Sequence, residues 1–425
     1  MSTGVVIAGA GQAGAQLAMS LRDFGHAGGI TVVGEEPHPP YHRPPLSKDF
    51  LGRATNEPDL PIRTAEHYRE RGIELVTATA VTSIDRPRQE VRLSSGQVLP
   101  YAHLVLATGA RNRQLPIAGA GADNVHHLRT VDDARRLRRE LDRARNVLVI
   151  GAGFIGLEFA SVAARRGANV LVVEAAERVL GRAVAEETSA YFAARHAEAG
   201  VPVLCGTTVE ELRTGASGRV TEARIGDRTH PVDLVLVGIG VLPNTEVAAA
   251  AGLPVDDGVV VDGRLVSADP AISAIGDCAR YPRPGSPALV RLESVQNATD
   301  QARYVARRIC GAERGAAYDA VPWFWSHQAG DKLQIAGLAH PADASATLGE
   351  PSAGRFSVCR LRDGVLTAVE SVNSPGDHLA ARKLLARGAL LTEAQLRAPG
   401  FSLRSAATDP PGGGTARTKL ERTTA

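Results

Sequence analysis

The sequence is poor in cysteine. Four cysteines stand far apart along 425 residues, at Cys205, Cys278, Cys310 and Cys359. Their spacing contains no C-x-x-C motif and no set of metal ligands, which argues against a redox disulfide and a zinc site. We expect four ordinary thiols in a reducing compartment, and no bound metal.

Long hydrophobic runs and excess charge are also absent. No uninterrupted apolar run reaches the roughly 18 residues that a membrane helix needs. We expect no signal peptide, because the first strand, in MSTGVVIAGAG, begins almost at the initial Met. The formal net charge of +2 gives no support to a nucleic-acid partner. With 44% apolar and 22% charged residues, the chain is typical of a cytoplasmic globular protein of two or three domains.

A unit of strand, glycine turn and helix occurs twice. VVIAGAGQAG at 5–14 and VLVIGAGFIG at 147–156 each open from a β-branched run into G-x-G-x-x-G and continue into a helical pattern. Each helix is followed by a strand that ends in an acid, first Glu35 and then Glu174. One glycine motif is a weak signal, whereas the whole unit is the signature of a dinucleotide site. The repeat therefore predicts two Rossmann-like sites.

The glycines have the same physical roles in both motifs. The first permits the tight turn, the second lets the pyrophosphate approach the backbone, and the third lets helix and strand pack closely. The N-terminus of the following helix then presents N–H groups and a partial positive charge to the phosphates. These residues are Gly9, Gly11 and Gly14 in the first motif and Gly151, Gly153 and Gly156 in the second.

Later segments indicate that the first site holds a flavin. AISAIGD at 271–277 reads as a short buried strand that ends in Gly-Asp, and the carboxylate of Asp277 is suited to accept from a ribityl hydroxyl. A strand-end turn without a ligand is the alternative for this segment alone. Beside the first glycine motif and LVLATGA at 104–110, FAD is the better interpretation.

Several segments resemble the FAD- and NAD(P)H-dependent ferredoxin reductases of bacterial oxygenase systems. This is the family of putidaredoxin, rubredoxin and dioxygenase reductases, pyridine nucleotide oxidoreductases without a redox disulfide. The resemblance is specific from residue 4 to about residue 375. The segments are RPPLSK (43–48), LRT (128–130), VIGAGFIGLE (149–158), AIGDCA (274–279), VRLESVQNA (290–298) and PWFWS (322–326).

The resemblance implies an α/β fold with two Rossmann-like dinucleotide-binding domains and a C-terminal α+β domain. The NAD domain is expected to be inserted into the FAD domain. The implied bounds are 1–114 and 241–320 for the FAD domain, 115–240 for the NAD domain and 321–402 for the C-terminal domain. Residues 403–425 are expected to form a disordered tail, because the end of the chain lacks apolar periodicity.

Lysine is scarce, and Lys48 is the only one in the first 300 residues. It lies in PHPPYHRPPLSKDFLG, where disulfide reductases of the broader family carry reactive thiols, and this stretch contains no sulfur. The lack of a thiol relay therefore favours transfer of the electrons to a separate carrier. The resemblance implies that Lys48 and Glu158 are the catalytic residues: Lys48 lies by the flavin N5 edge, and Glu158 pairs with it. For both, an ordinary solvent-facing side chain is the alternative.

The resemblance also carries residues to the two nucleotide sites. Glu174 is expected to accept from a ribose 2′-hydroxyl and to repel a 2′-phosphate, which favours NADH. NADPH stays an alternative donor, because Arg178 could bind a 2′-phosphate. On the FAD side, besides Lys48, it implies Glu35, Arg43, Arg129, Asp277, Val295 and Trp323. On the NAD side, besides the glycines and Glu174, it implies Ile155, Arg182, Gly238, Ile239 and Gly240.

The chain has two tryptophans, Trp323 and Trp325, which share one face if they lie on a strand. Core packing is the usual role of tryptophan, whereas the resemblance favours a wall beside the flavin or a docking surface. The family typically has Asp where this chain has His327. A role that the family assigns to this aspartate is therefore not assigned to His327.

Arginines are expected to dock an acidic partner. In the helical pattern at 297–311, which also contains Arg308, Arg303 and Arg307 lie one turn apart on one face. Arg63 matches a basic position of the resembling reductases. The alternative for each is a solubilising charge, but together they can steer a partner. We expect Arg63, Arg303 and Trp325 to contact the partner.

These features predict a flavoprotein oxidoreductase of electron transport. NADH passes a hydride to FAD, and single electrons then pass to a ferredoxin or another small iron-sulfur protein that serves an oxygenase, expected to be a haem monooxygenase. Two alternatives stay open: an NADH oxidase, disfavoured by the missing thiol, and a signalling flavoprotein of the apoptosis-inducing type. The protein is expected to be a monomer or a weak dimer.

Overall fold

Two parallel sheets organise the structure, a computed structural model that describes residues 4–52, 59–284, 288–313 and 315–408. The chain divides into two compact units. The first consists of Met1–His42, Pro58–Arg111 and Val241–Ala320, and the second of Arg43–Glu57, Asn112–Gly240 and Val321–Ala425. Within the described ranges, every helix is too short or too polar to span a bilayer.

The sheet of the first unit has five parallel strands. The central strand Val5–Ala8 pairs with Ile30–Val33 on one side and with His103–Leu106 on the other. Ile73–Val76 and Ile272–Ala274 complete the two edges. β-Branched and leucine side chains fill these strands and are mostly buried, as expected for a parallel sheet whose two faces are covered.

Helices and small sheets surround this core. The helices are Gln12–Asp23, Ala65–Glu70, Glu246–Ala250 and Val295–Ile309, and a 3₁₀ turn spans Gly276–Cys278. The first and the last of these helices pack against each other. The other strands are Val81–Asp85, Glu90–Leu93 and Val98–Pro100 in one sheet, Val259–Val260, Ala279–Pro282 and Leu289–Val290 in a second, and Val241–Pro243 with Ala110–Asn112 in a third.

The second unit contains the other five-stranded parallel sheet. Asn146–Ile150 lies at its centre between Asn169–Val173 and Leu234–Val237. Val203–Leu204 and Val125–His126 form the edges. An antiparallel sheet of Val209–Thr214, Val220–Ile225 and Arg228–Pro231 packs on it through a shared apolar cluster.

An antiparallel sheet of five strands forms the C-terminal part of the second unit. In spatial order it contains Trp323–Gln328, Asp331–Gly337, Val365–Val372, Arg355–Arg362 and Ala344–Glu350. The longer helices of this unit are Val131–Leu141, Phe154–Arg165, Glu186–Glu198 and Pro375–Ala386. Short helices span Pro44–Ser47, Pro351–Ala353, Glu393–Leu396 and Leu403–Thr408.

The two parallel sheets with glycine turns and the mixed C-terminal region confirm the predicted α/β fold class. The predicted domain bounds stay a prediction. The division into two units does not separate the predicted NAD domain from the predicted C-terminal domain, because both fall in the second unit. The expected disordered tail is wrong at its start. Leu403–Thr408 forms a helix, because Leu403 is buried in the apolar cluster of the C-terminal sheet. Residues 409–425 lie outside the described residues.

Candidate nucleotide and electron-transfer sites

The first glycine turn lies in the first unit, between the central strand and the first helix. Gly9 has a φ of +124°, and a Cβ there would lie 2.0 Å from the Ala107 carbonyl oxygen. A Cβ on Gly14 would lie 1.9 Å from the Gly9 carbonyl oxygen. Only glycine fits these two positions. A Cβ on Gly11 would meet no protein atom within 4 Å, so this position is open to a ligand.

The carboxyl edge of the same sheet carries the other predicted FAD residues of this unit. Glu35 follows the second strand and is exposed, and Asp277 lies in the 3₁₀ turn directly after Ile272–Ala274. A Cβ on Gly276 would lie 3.2 Å from the Cβ of Ala13, so this turn abuts the start of the first helix. That helix has no side-chain cap and no acid in its first turn. The arrangement fits the diphosphate and ribityl chain of FAD.

The second glycine turn has the same construction in the second unit. Gly151 has a φ of +104°, and a Cβ there would lie 2.5 Å from the Gly238 carbonyl oxygen. A Cβ on Gly156 would lie 2.1 Å from the Gly151 carbonyl oxygen, whereas one on Gly153 would meet nothing within 4 Å. Ile155, in the first turn of the uncapped helix that follows, is 42% exposed. An apolar side chain beside an open helix N-terminus suits a bound dinucleotide.

Glu174 is held at this turn by backbone N–H groups. Its Oε2 accepts from Ala152 N at 2.6 Å and its Oε1 from Ala176 N at 2.8 Å. Arg182 is exposed, and its Nη2 lies next to Gly240, 3.4 Å from the point where a Cβ on that glycine would stand. Glu174 is thus a fixed acceptor at the position expected for the ribose of NAD.

Arg178 does not offer a free guanidinium at this site. Its Nη1 donates to the Val184 carbonyl oxygen at 2.8 Å, and its Nη2 donates to the Gly181 carbonyl oxygen at 2.9 Å. These bonds engage the guanidinium group that the sequence left available to bind the 2′-phosphate of NADPH. The carboxylate of Glu174 is therefore unopposed by Arg178, which favours NADH.

Lys48 and Glu158 form an ion pair in the second unit, with 2.8 Å between Nζ and Oε2. Lys48 follows the short helix Pro44–Ser47, and Glu158 lies on the helix Phe154–Arg165 and is 3% exposed. Ser47 donates its hydroxyl to Glu158 Oε2, and Ser326 donates to Oε1. The solvent-facing alternative for these two side chains is therefore wrong. The two serines stand in the motifs RPPLSK and PWFWS, but their role was missed in the sequence.

Arg43 and Arg129 contact each other through a main-chain oxygen. Arg43 Nη1 donates to the Arg129 carbonyl oxygen at 2.6 Å. Thr130, the next residue, caps the helix Val131–Leu141 reciprocally with Asp133, so the local sequence places this segment. Both arginines are half-buried.

The two tryptophans lie on one face of the strand Trp323–Gln328, as predicted. Their ring centroids are 5.6 Å apart. The Arg382 guanidinium lies over Trp323, 4.9 Å from the ring centroid. On the other face Phe324 packs against Phe154, with 4.6 Å between centroids. His327 is exposed by surface area, but part of its ring faces protein, and this partial desolvation, followed by the charge of Lys48, lowers its pKa.

The predicted docking arginines differ in exposure. Arg303 and Arg307 are exposed on the helix Val295–Ile309. Val295, a predicted FAD contact, is the first residue of this helix. Arg308 is half-buried and donates to the Ser273 hydroxyl. Arg63 is exposed as well. Arg308 therefore holds the helix to the sheet and is not part of a docking face.

All four cysteines are free thiols. Cys278 and Cys359 are buried, and burial raises the pKa of each thiol. Burial, with the nearby charges of Glu174 and Glu177, likewise raises the pKa of Cys205. Burial also raises the pKa of Cys310. None of these environments activates a thiol for redox chemistry.

Residues 3–302 match the model of the pyridine nucleotide-disulphide oxidoreductase family, and residues 323–407 match that of the reductase C-terminal domain. The second match extends the resemblance beyond its expected limit near residue 375. The chain is 47% identical over 405 residues to the rhodocoxin reductase of Rhodococcus erythropolis, covering 95% of this chain and 94% of that protein.

Two solved structures share the fold closely. The ferredoxin reductase for the CYP199A2 system from Rhodopseudomonas palustris is 44% identical, with a TM-score of 0.92 and coverage of 96% of this chain and 100% of that one. The covalent putidaredoxin reductase–putidaredoxin complex matches with 38% identity, a TM-score of 0.92 and coverage of 96% and 99%. This chain therefore belongs to the ferredoxin reductases of the pyridine nucleotide-disulphide oxidoreductase family, enzymes that use FAD and a nicotinamide dinucleotide.

Proposed function

We propose that the protein takes hydride from NADH onto FAD and passes the electrons singly to a ferredoxin. The observation that carries this proposal is the pair of open glycine turns, at Gly11 and Gly153, each in its own parallel sheet. Two such turns provide one dinucleotide site for NADH, the hydride donor, and one for FAD, the acceptor. When bound, FAD accepts a hydride and releases single electrons.

The FAD site is built from main chain and carboxylates of the first unit. The N-terminus of the first helix binds the diphosphate, Glu35 accepts from the adenosine ribose, and Asp277 accepts from the ribityl chain. The family resemblance adds the main chain at Val295 near the flavin carbonyl edge, together with Arg43, Arg129 and Trp323.

Lys48 supplies positive charge to the reacting end of the flavin, and Glu158 holds it there. By the family resemblance, the ammonium group would lie by the N5 edge of bound FAD, where it would favour a flavin that carries negative charge. The ion pair between Lys48 and Glu158 fixes the ammonium group by a charge-assisted hydrogen bond. Lys48 would therefore act on the charge of the bound flavin.

NADH binds at the second glycine turn. Glu174 accepts from the ribose 2′-hydroxyl, while Ile155, Arg182 and the segment 238–240 line the rest of the site. The preference for NADH follows from the fixed carboxylate of Glu174, which repels a 2′-phosphate.

The electrons leave to an acidic ferredoxin that contacts Arg63, Arg303 and Trp325. The sequence has no cysteine before Cys205. Residues 37–52, where disulfide reductases carry reactive thiols, therefore contain no internal thiol relay, which supports electron transfer to a separate protein. The solved reductase–putidaredoxin complex shows that a relative of this chain has an iron-sulfur protein as its partner.

We assign the terminal enzyme to the haem monooxygenases, because a relative at 44% identity serves the CYP199A2 system. We place the protein in the cytoplasm, where its four free thiols suit a reducing compartment. Cell fractionation tests this location.

Steady-state reduction of a panel of ferredoxins and rubredoxins, with NADH or NADPH as donor, tests the function. We expect NADH to support rapid reduction of at least one acidic ferredoxin. NADH consumption that produces hydrogen peroxide and reduces no carrier would favour an oxidase. FAD binding without turnover on any carrier would favour a signalling flavoprotein.

A further inference from the structure

A series of buried hydrogen bonds continues from Glu158 into the interior of the second unit. Ser326 donates to Glu158 Oε1, and the Ser326 hydroxyl oxygen lies 2.9 Å from Gln328 Nε2. Gln328 Oε1 in turn lies 3.1 Å from His196 Nε2. Ser326, Gln328 and His196 are each 0% exposed, so water does not compete for these bonds.

The chemistry of the groups fixes the direction of the bonds. Gln328 Nε2 also donates to the Phe154 carbonyl oxygen at 3.2 Å, so the amide nitrogen faces Ser326 and the amide oxygen faces His196. His196 must then carry its proton on Nε2. Burial lowers the pKa of His196, which keeps the ring neutral. Every donor in the series therefore points toward the carboxylate of Glu158.

The strand Trp323–Gln328 explains how these groups meet. Alternation along the strand puts Ser326 and Gln328 on the face that packs against the helix of Glu158. His196 reaches Gln328 from the helix Glu186–Glu198. The carboxylate is thus supported on one oxygen by Ser326 and on the other by Ser47 and Lys48.

We propose that Ser326, Gln328 and His196 are positioning residues that hold Glu158, and through it Lys48, in the geometry needed for flavin reduction. The inference rests on the proposed function in one respect, the action of Lys48 at the flavin. Lysine has a long, flexible side chain, and the Lys48 ammonium group is held by the Glu158 carboxylate at 2.8 Å and by the Pro44 carbonyl oxygen at 3.2 Å. The position of the charge therefore depends on a fixed Glu158. Without the series, the Glu158 carboxylate loses the donor to Oε1 and can turn away from Lys48.

The test uses the FAD-loaded enzyme. Gln328→Leu removes both arms of the amide at similar volume. We expect it to slow flavin reduction by NADH on the order of fivefold, less than loss of a whole charge-assisted bond. We also expect a changed midpoint potential of the bound FAD and an unchanged Kd for NADH. Ser326→Ala should act in the same direction, and Ser326→Thr, which keeps the hydroxyl, should restore both values.

Ser357→Ala is the matched control. Ser357 is also 0% exposed and lies in the same antiparallel sheet, but its hydroxyl bonds to Ser371 and Asp377. This variant loses a buried serine hydrogen bond without touching Glu158. It should leave the potential and the reduction rate unchanged. If it changes the potential as much as Ser326→Ala does, the effect is structural and the inference is overturned.

A double variant separates this inference from the proposed function. In a Lys48→Met background, Gln328→Leu should cause no further slowing, because the series acts through Lys48. If Lys48→Met slows reduction but neither Gln328→Leu nor Ser326→Ala alters rate or potential, the positioning role is overturned and the proposed function stands. If Lys48→Met alters nothing, the role of Lys48 fails and the inference fails with it. Should Gln328→Leu not fold, the pair Ser326→Ala and Ser326→Thr decides the question.

Discussion

His378 lies edge-on to Trp323, with 5.8 Å between ring centroids and 67° between ring planes. Its side chain is 2% exposed, and neither ring nitrogen has a hydrogen-bond partner. Burial, followed by the positive charges of Arg382 and Lys332, lowers the pKa of His378 to about 4. The folded protein therefore holds a neutral imidazole at a pH where an unfolded chain would protonate it.

This burial predicts a loss of stability in acid. Above about pH 6.5, the pKa of an unfolded histidine, His378 is neutral in both states and contributes no pH dependence. Between about pH 6.5 and the folded pKa, the unfolded chain binds the extra proton, so stability falls as the pH falls. The loss attributable to His378 reaches up to about 3 kcal/mol near pH 4.

His378→Phe should flatten that pH dependence while it keeps the aromatic edge against Trp323. Denaturant unfolding at a series of pH values measures it. Leu379→Ala, a change at a 57% exposed neighbour, is the control and should leave the slope unaltered. An identical slope in the His378→Phe variant would show that His378 is not the residue that titrates.

The held carboxylate of Glu174 predicts a preference for NADH over NADPH of tenfold or more in kcat/KM, about 1.4 kcal/mol. Glu174→Ala should erode the preference by removing both the ribose acceptor and the repulsion of a 2′-phosphate. Glu177→Ala, at an exposed acid nearby, should not. Equal kcat/KM values for the two donors in the unmodified enzyme would mean that another cation dominates the site.

Lys48→Met should slow flavin reduction by about tenfold or more, because a charge that acts on the reduced flavin is lost. FAD should stay bound, since the glycine turn and Asp277 are unchanged. Stopped-flow absorbance measures the rate, and Lys332→Met, at an exposed lysine, is the control. A normal rate with a normal flavin potential would remove Lys48 from the reacting site.

Arg303→Glu should raise the KM for ferredoxin at low salt while NADH–ferricyanide turnover is unchanged. Charge steering weakens with ionic strength, so the difference from the unmodified enzyme should shrink as salt is added. Arg228→Glu, an equal charge change at an exposed residue of the second unit, should have little effect. Ferredoxin kinetics insensitive to both salt and Arg303 would mean that the partner binds elsewhere or by apolar contact.

Local sequence was sufficient for the nucleotide turns. Gly9, Gly14, Gly151 and Gly156 were predicted because a Rossmann turn needs these residues within ten positions, and the structure shows backbone oxygens where any Cβ would stand. The face shared by Trp323 and Trp325 followed from strand alternation alone. These predictions depend on short-range geometry, which a single sequence records.

Long-range contacts were beyond the sequence. Gln328 and His196 are 132 positions apart, so no spacing or periodicity could connect them. Packing of loops and helices also determines two other contacts. Arg178 donates its hydrogen bonds to main-chain carbonyl oxygens, and Arg308 is half-buried. The helix Leu403–Thr408 was missed because only its contact with the C-terminal apolar cluster stabilises so short a segment.

The stoichiometry of an anaerobic titration tests whether the hydride from NADH leaves the enzyme as single electrons. The FAD-loaded enzyme is supplied with limiting NADH and an excess of a one-electron [2Fe–2S] ferredoxin, and the absorbance of NADH and of the ferredoxin is followed together. A hydride carries two electrons, so we expect two ferredoxin molecules to be reduced for each NADH oxidised, with oxidised FAD at the end. NADH oxidation that leaves the ferredoxin oxidised, or ferredoxin reduction that occurs without FAD, would contradict it.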